Sequence, residues 1–79
     1  MNRTVVGIDV GTTKVCTMVA EVRPDGRINV LGVGLTPSKG LDRGVVVNID
    51  DAISAISTSV EKAERLSGYR IATAYVGIA

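Results

Sequence analysis

"GIDVGTTK", residues 7–14, decides how this chain is read. The apolar run that leads into it, "TVVGIDV" over residues 4–10, is dense in Val and Ile and reads as a strand buried on both faces. The run admits one acid, Asp9, and breaks at Gly11. A second β-branched run, "KVCTMVAEV" over 14–22, follows after only three residues, so the chain must reverse at Gly11-Thr12-Thr13. "RPDGR", residues 23–27, is a second reversal, in which Pro24 presets φ and Asp25-Gly26 tolerates positive φ. "INVLGVGLT" over 28–36 is then a third strand, and three strands joined by two short turns form an antiparallel meander.

Beyond the meander the period changes. "PSKGLDRG", residues 37–44, is a loop by composition, punctuated by Pro37, Gly40 and Gly44, and "VVV" at 45–47 is a brief extended piece. A helix starts at Asn48, whose side chain caps it, with Asp50 and Asp51 at its positive end. Ile49, Ile53, Ile56, Val60, Ala63 and Leu66 fall at the spacing of one helical face, and Gly68 supplies the stop. "RIATAYVGIA" over 70–79 reads as a fourth strand, and a helical crossover brings it parallel to the first. The expected architecture is an α/β fold in the order β-β-β-α-β.

Composition narrows the function. Seventy-nine residues make one small domain, and with no Phe or Trp its core must be aliphatic. The net charge is +1 and the nine basic residues are scattered, which argues against a nucleic-acid partner. The chain has no His, and its single cysteine, Cys16, builds neither a zinc site nor a disulfide. Strand-like neighbours make Cys16 a buried, inert thiol. "MNRTVVGID" lacks the features of a signal peptide, and no apolar run approaches the ~20 residues that span a bilayer, so a cytoplasmic protein is expected.

The chemistry concentrates at the first reversal. Phosphates are bound by backbone N–H groups converging where a chain turns tightly. Glycine admits a close approach, threonine hydroxyls add donors, and a lysine adds charge; Gly11, Thr12, Thr13 and Lys14 supply all of these. Asp9 beside such an anion site would be repulsive unless a hard cation lay between them, and Mg²⁺ keeps several waters that a carboxylate can hold. The alternative is a plain tight hairpin with Lys14 in solvent and Asp9 hydrogen-bonded to turn amides. The helix-linked phosphate loop and the dinucleotide fingerprint are both absent. No residue is assigned a catalytic role.

"VGIDVGTTKV" resembles the first phosphate motif of the superfamily of actin, sugar kinases and heat-shock ATPases. With "INVLGVGLTPSKGLDRGVVVNIDDAISAI" and "AYVGIA" added, the chain is similar to the FtsA family of bacterial cell-division proteins, and "SKGLDRGVVVNID" is the most telling stretch. The resemblance implies that residues 1–79 are part of the first lobe of an actin-like (ribonuclease H-like) nucleotide-binding fold, truncated before the family-specific subdomain. It further implies that Gly11, Thr12, Thr13 and Lys14 lie along the β- and γ-phosphates of ATP, with Asp9 acting on Mg²⁺ through water. The complete protein would have at most a weak ATPase activity, and this chain alone none. The implied partners are FtsZ, later division proteins and further copies of the protein. A C-terminal helix outside these residues would anchor it to the inner face of the cytoplasmic membrane at the division site. Two other readings stay open: a phosphotransferase of the sugar-kinase branch, and a stand-alone module that pairs through its open strand edge.

Overall fold

The computed structural model describes residues 3–38, 41–42, 45–46 and 48–78. Gly40 and Gly44 of the expected loop, Val47 of the extended piece and Ala79 of the last strand lie outside them. Strands β1 (Arg3–Val10), β2 (Lys14–Val22) and β3 (Ile28–Pro37) form the meander. Both pairings are antiparallel, with Val10 opposite Val15 and Cys16 opposite Leu35. Short β4 (Leu41–Asp42) and β5 (Val45–Val46) pair antiparallel as a separate ribbon, where composition alone predicts a loop up to residue 44. Helix α1 (Ile49–Ser67) then crosses over to β6 (Tyr75–Ile78), which lies parallel to β1. The sheet order is β3-β2-β1-β6, the α/β arrangement expected. The fourth strand is shorter than expected, because 68–74 form the connection.

Local chemistry accounts for each boundary. The β2–β3 turn closes through Arg23 and Gly26 N–H bonds to Arg27 and Arg23 carbonyls, both 2.9 Å, and Asp25 Oδ1 accepts from Arg27 N at 2.9 Å. Helix α1 is capped as its sequence predicts. Asn48 Oδ1 accepts from Asp51 N at 3.1 Å, and Gly68, with φ 70°, donates its N–H to the Glu64 carbonyl at 2.9 Å. Glu64 also accepts from Ile71 N at 2.8 Å, which steers the exit chain back toward the sheet.

The core lies between α1 and one face of the sheet. Register puts Val6, Ile8 and Val10 of β1 on that face, beside Val15, Thr17 and Val19 of β2 and Gly32, Gly34 and Thr36 of β3. Val6, Val10, Val15 and Val19 are buried there against Ala55 and Ala63, with Leu31, Ile56, Ile71 and Ala74 packed around them. At the centre Thr17 and Ser59, both fully buried, share a hydrogen bond of 2.7 Å. Ser59 gives its own proton to the Ile56 carbonyl at 2.8 Å, so Thr17 is the donor between them.

The helix buries only part of the predicted stripe: Ala63 is fully buried and Ile56 packs on the core, but the rest of the buried face is made of smaller residues. Ala52, Ala55, Ser59 and Ala63 face the sheet, while Ile49, Ile53 and Leu66 are 66%, 57% and 69% exposed. The reason sits in β3. A Cβ at Gly34 would collide with the Ser59 carbonyl oxygen, and one at Gly32 would lie 2.8 Å from the Ala63 carbonyl oxygen. The helix backbone rests directly on a glycine strand, and only small side chains fit beneath it.

The sheet's other face has no helix over it among the described residues. It carries Val5, Gly7 and Asp9 of β1, Cys16, Met18 and Ala20 of β2, Val30, Val33 and Leu35 of β3, and Tyr75 and Gly77 of β6. So β1 is covered on one face only, and Cys16 is half-buried on the open face, where a buried thiol was expected. No described helix is long and apolar enough to cross a membrane.

Candidate functional site

The reversal between β1 and β2 forms at the end of the sheet. Gly11 N–H donates to the Lys14 carbonyl at 2.9 Å and closes the turn. A Cβ on Gly11 would stand 2.9 Å from that same carbonyl oxygen, which accounts for glycine at this position. Thr12, Thr13 and Lys14 are exposed, and the Thr12 and Thr13 amides donate to no described residue. Two unspent N–H groups, two hydroxyls and an ammonium therefore meet at one tight turn, which is the donor set an oxyanion calls for.

Asp9 is exposed near the end of β1, level with Cys16 on one side and Gly77 on the other. Register puts it on the open face of the sheet, the same face as Lys14. Its side chain makes no hydrogen bond or ion pair with any described residue, so the Asp9 part of the plain-hairpin alternative is not met, whereas its solvent-exposed Lys14 is. Gly7 on the same strand and Gly77 on β6 keep the surroundings of the carboxylate open. Asp9 borders a shallow hollow of ≈ 590 Å³ with Gly7, Cys16, Met18, Tyr75 and Gly77. Thr13 and Lys14 border a second one of ≈ 200 Å³ with Leu35, Thr36 and Pro37. The five predicted site residues thus share one end of the sheet, but the carboxylate and the lysine do not line one cavity.

Among the described residues no three His, Cys, Asp or Glu side chains gather as a metal cage. A lone, open carboxylate beside an anion turn suits a different role: outer-sphere contact, through water, with a cation that takes its remaining oxygens from phosphate and solvent.

One residue of the site has no signature in the local sequence. Ser38, just past β3, donates its Oγ–H to the Gly11 carbonyl at 2.7 Å and its backbone N–H to the Thr13 carbonyl at 2.8 Å. The only hint is the meander itself, whose register sets Pro37 opposite Lys14 and so brings Ser38 beside the turn.

Comparison with known proteins gives this geometry a context. The chain is 47% identical over 75 residues to the cell division protein FtsA of Pseudomonas aeruginosa, 43% over 74 residues to that of Borreliella burgdorferi, and 36% over 74 residues to that of Escherichia coli strain K12. These matches cover 94–95% of this chain and 18% of each relative, so the chain spans under a fifth of their length. No family model matches it. In backbone it is similar to a solved glycerol dehydratase reactivase, with a TM-score of 0.73 and 20% identity, over 98% of this chain and 12% of that one. That likeness concerns the fold alone, the actin-like arrangement expected.

Proposed function

We propose that this chain, similar over nearly all of its length to FtsA cell-division proteins, supplies the first phosphate-binding wall of an ATP site. The observation that carries the reading is the turn at residues 11–14, with the Thr12 and Thr13 amides unspent and Asp9 open on the same face of the sheet. Gly11, Thr12, Thr13 and Lys14 hold the β- and γ-phosphates. Asp9 would hold a Mg²⁺ ion through water, and the metal, when bound, would supply neutralisation of phosphate charge.

Residues 1–79 are, on this reading, part of the first lobe of a two-lobed protein, and ATP binds between the lobes. Kinship also supports the wider role. The complete protein holds FtsZ filaments at the inner face of the cytoplasmic membrane at the division site, through a C-terminal helix outside these residues. It contacts later division proteins and assembles with its own copies.

The test is equilibrium ATP binding by a complete protein carrying these residues, with and without Mg²⁺. Binding should depend on Mg²⁺, and Asp9→Ala should weaken it about tenfold, the scale of one hydrogen bond to a charged group. The far-ultraviolet circular dichroism of the variant should be unchanged. Equal affinity of the variant at matched Mg²⁺ would remove the metal role from Asp9. No ATP binding by the unaltered protein would overturn the reading as a whole.

A second reading has one observation in its favour. β6 is an outer strand of the sheet, with Tyr75 and Val76 73% and 60% exposed, so copies of this chain have an edge through which to pair.

A further inference from the structure

We propose that Ser38 is a positioning residue for the phosphate turn: its two hydrogen bonds hold the peptide planes on either side of the Thr12–Thr13 step and so orient the N–H groups that meet the anion. The inference rests on the phosphate reading above. It starts from a geometric fact, that one residue spends both its side-chain and its backbone donor on a turn 27 positions earlier in the chain.

The two acceptors are the Gly11 and Thr13 carbonyls, alternate groups of the turn. In a trans peptide the C=O and the following N–H point in opposite directions. Holding the Gly11 carbonyl toward Ser38 therefore turns the Thr12 N–H away from it, to the exposed side. Holding the Thr13 carbonyl fixes the Thr13–Lys14 plane in the same manner, so the 12–13 plane that carries the Thr13 N–H lies between two held planes. Gly11 N–H is committed to the Lys14 carbonyl and the Gly11 and Thr13 carbonyls to Ser38, so four of the turn's backbone groups are spent and the Thr12 and Thr13 amides are left over.

Donors fixed in advance need no reorganisation when the anion arrives, and that is where an oriented site gains over a flexible one. A turn held only by its own closing bond could rotate the 11–12 peptide and lose the Thr12 donor. Ser38 removes that freedom from outside the turn. Its Oγ is partly buried in doing so, which shields the bond from competition with water. Ser38 itself touches no phosphate on this account; it acts through Gly11 and Thr13.

Three variants of a complete protein carrying these residues test it, with ATP·Mg²⁺ and adenosine as the two probes. Ser38→Ala should weaken ATP·Mg²⁺ about three- to tenfold, the scale of one intramolecular hydrogen bond. Adenosine affinity should be unchanged, because the latch acts on the phosphate end only. Ser38→Thr keeps the hydroxyl and should restore ATP affinity. Ser38→Cys keeps the shape with a weaker donor and should fall between, which provides a readout should the alanine variant fold poorly. Equal loss of ATP and adenosine affinity would make Ser38 a general structural residue and overturn the inference. So would full ATP affinity in both Ser38→Ala and Ser38→Cys while the unaltered protein binds ATP in a Mg²⁺-dependent way. Failure of the unaltered protein to bind ATP would instead sink the phosphate reading from which the inference starts.

Discussion

At the scale of single residues, the polar pair in the middle of the core sets a sharper test than any surface charge. Thr17 and Ser59 are fully buried, and Ser59 already gives its proton to the Ile56 carbonyl, so the Thr17 hydroxyl depends on Ser59 Oγ as its acceptor. Ser59→Ala should strand that donor and cost about 1–3 kcal/mol in denaturant unfolding. Adding Thr17→Val removes the stranded group, so the double variant should be less destabilised than the sum of the two singles, by about 1 kcal/mol. Strictly additive costs would mean that the bond contributes nothing. Neither residue announces this partnership in the sequence, where both look like ordinary polar positions of a strand and a helix. Asp9 and the Gly11 turn were legible because their signal is local: an acid in an apolar run, then a glycine followed by donors. Ser38 was not, because its partners Gly11 and Thr13 lie far back in the chain, the former 27 residues away, and only the sheet's register brings them together.

Elements were legible to the extent that neighbours in sequence decide them. The three strands of the meander, the Asp25-Gly26 turn, the Asn48 and Gly68 caps and the parallel return of the last strand all follow from local residue chemistry or from the length of the crossover. The face of α1 did not, because periodicity selects the largest apolar residues, whereas burial here is decided by Gly32 and Gly34 on another strand. The extended piece at Val45–Val46 was expected, but β4 and its pairing were missed for a related reason: a two-residue strand is too short to carry a period. Gly34→Ala tests the helix-on-glycine contact. Its new methyl would meet the Ser59 carbonyl, a backbone atom that yields only if the whole helix shifts. Unfolding by denaturant should show a loss of about 3 kcal/mol or more, at the upper end of overpacking penalties. Gly7→Ala is the matched control on β1, since nothing lies within 4 Å of a Cβ there, and it should stay within about 1 kcal/mol of the parent. Equal effects of the two changes would remove close helix packing as the reason for glycine in β3.

For the molecule as a whole, the balance between its two sheet faces governs behaviour. One face is sealed by α1, whereas the other presents Met18, Val30, Leu35 and Tyr75, which are 39%, 50%, 51% and 73% exposed. A net charge of +1 offers little mutual repulsion to keep such surfaces apart. Apolar area held in water favours any contact that covers it, at roughly 25 cal/mol per Å². In a longer protein other segments are available to cover this face, and the Pseudomonas aeruginosa relative is more than five times the length of the match. The 79-residue polypeptide on its own has only further copies of itself, through this face or through the β6 edge. Sedimentation velocity of that polypeptide should therefore show an average mass that rises with concentration. Met18→Lys combined with Leu35→Lys puts two cations on the open face and leaves the β6 edge intact. If the face mediates association, the double variant should sediment as a monomer. If association persists unchanged, the edge of β6 is the contact. A parent chain that is monomeric at every concentration would show that neither surface is adhesive enough to matter, and the strand-edge reading would fall with it.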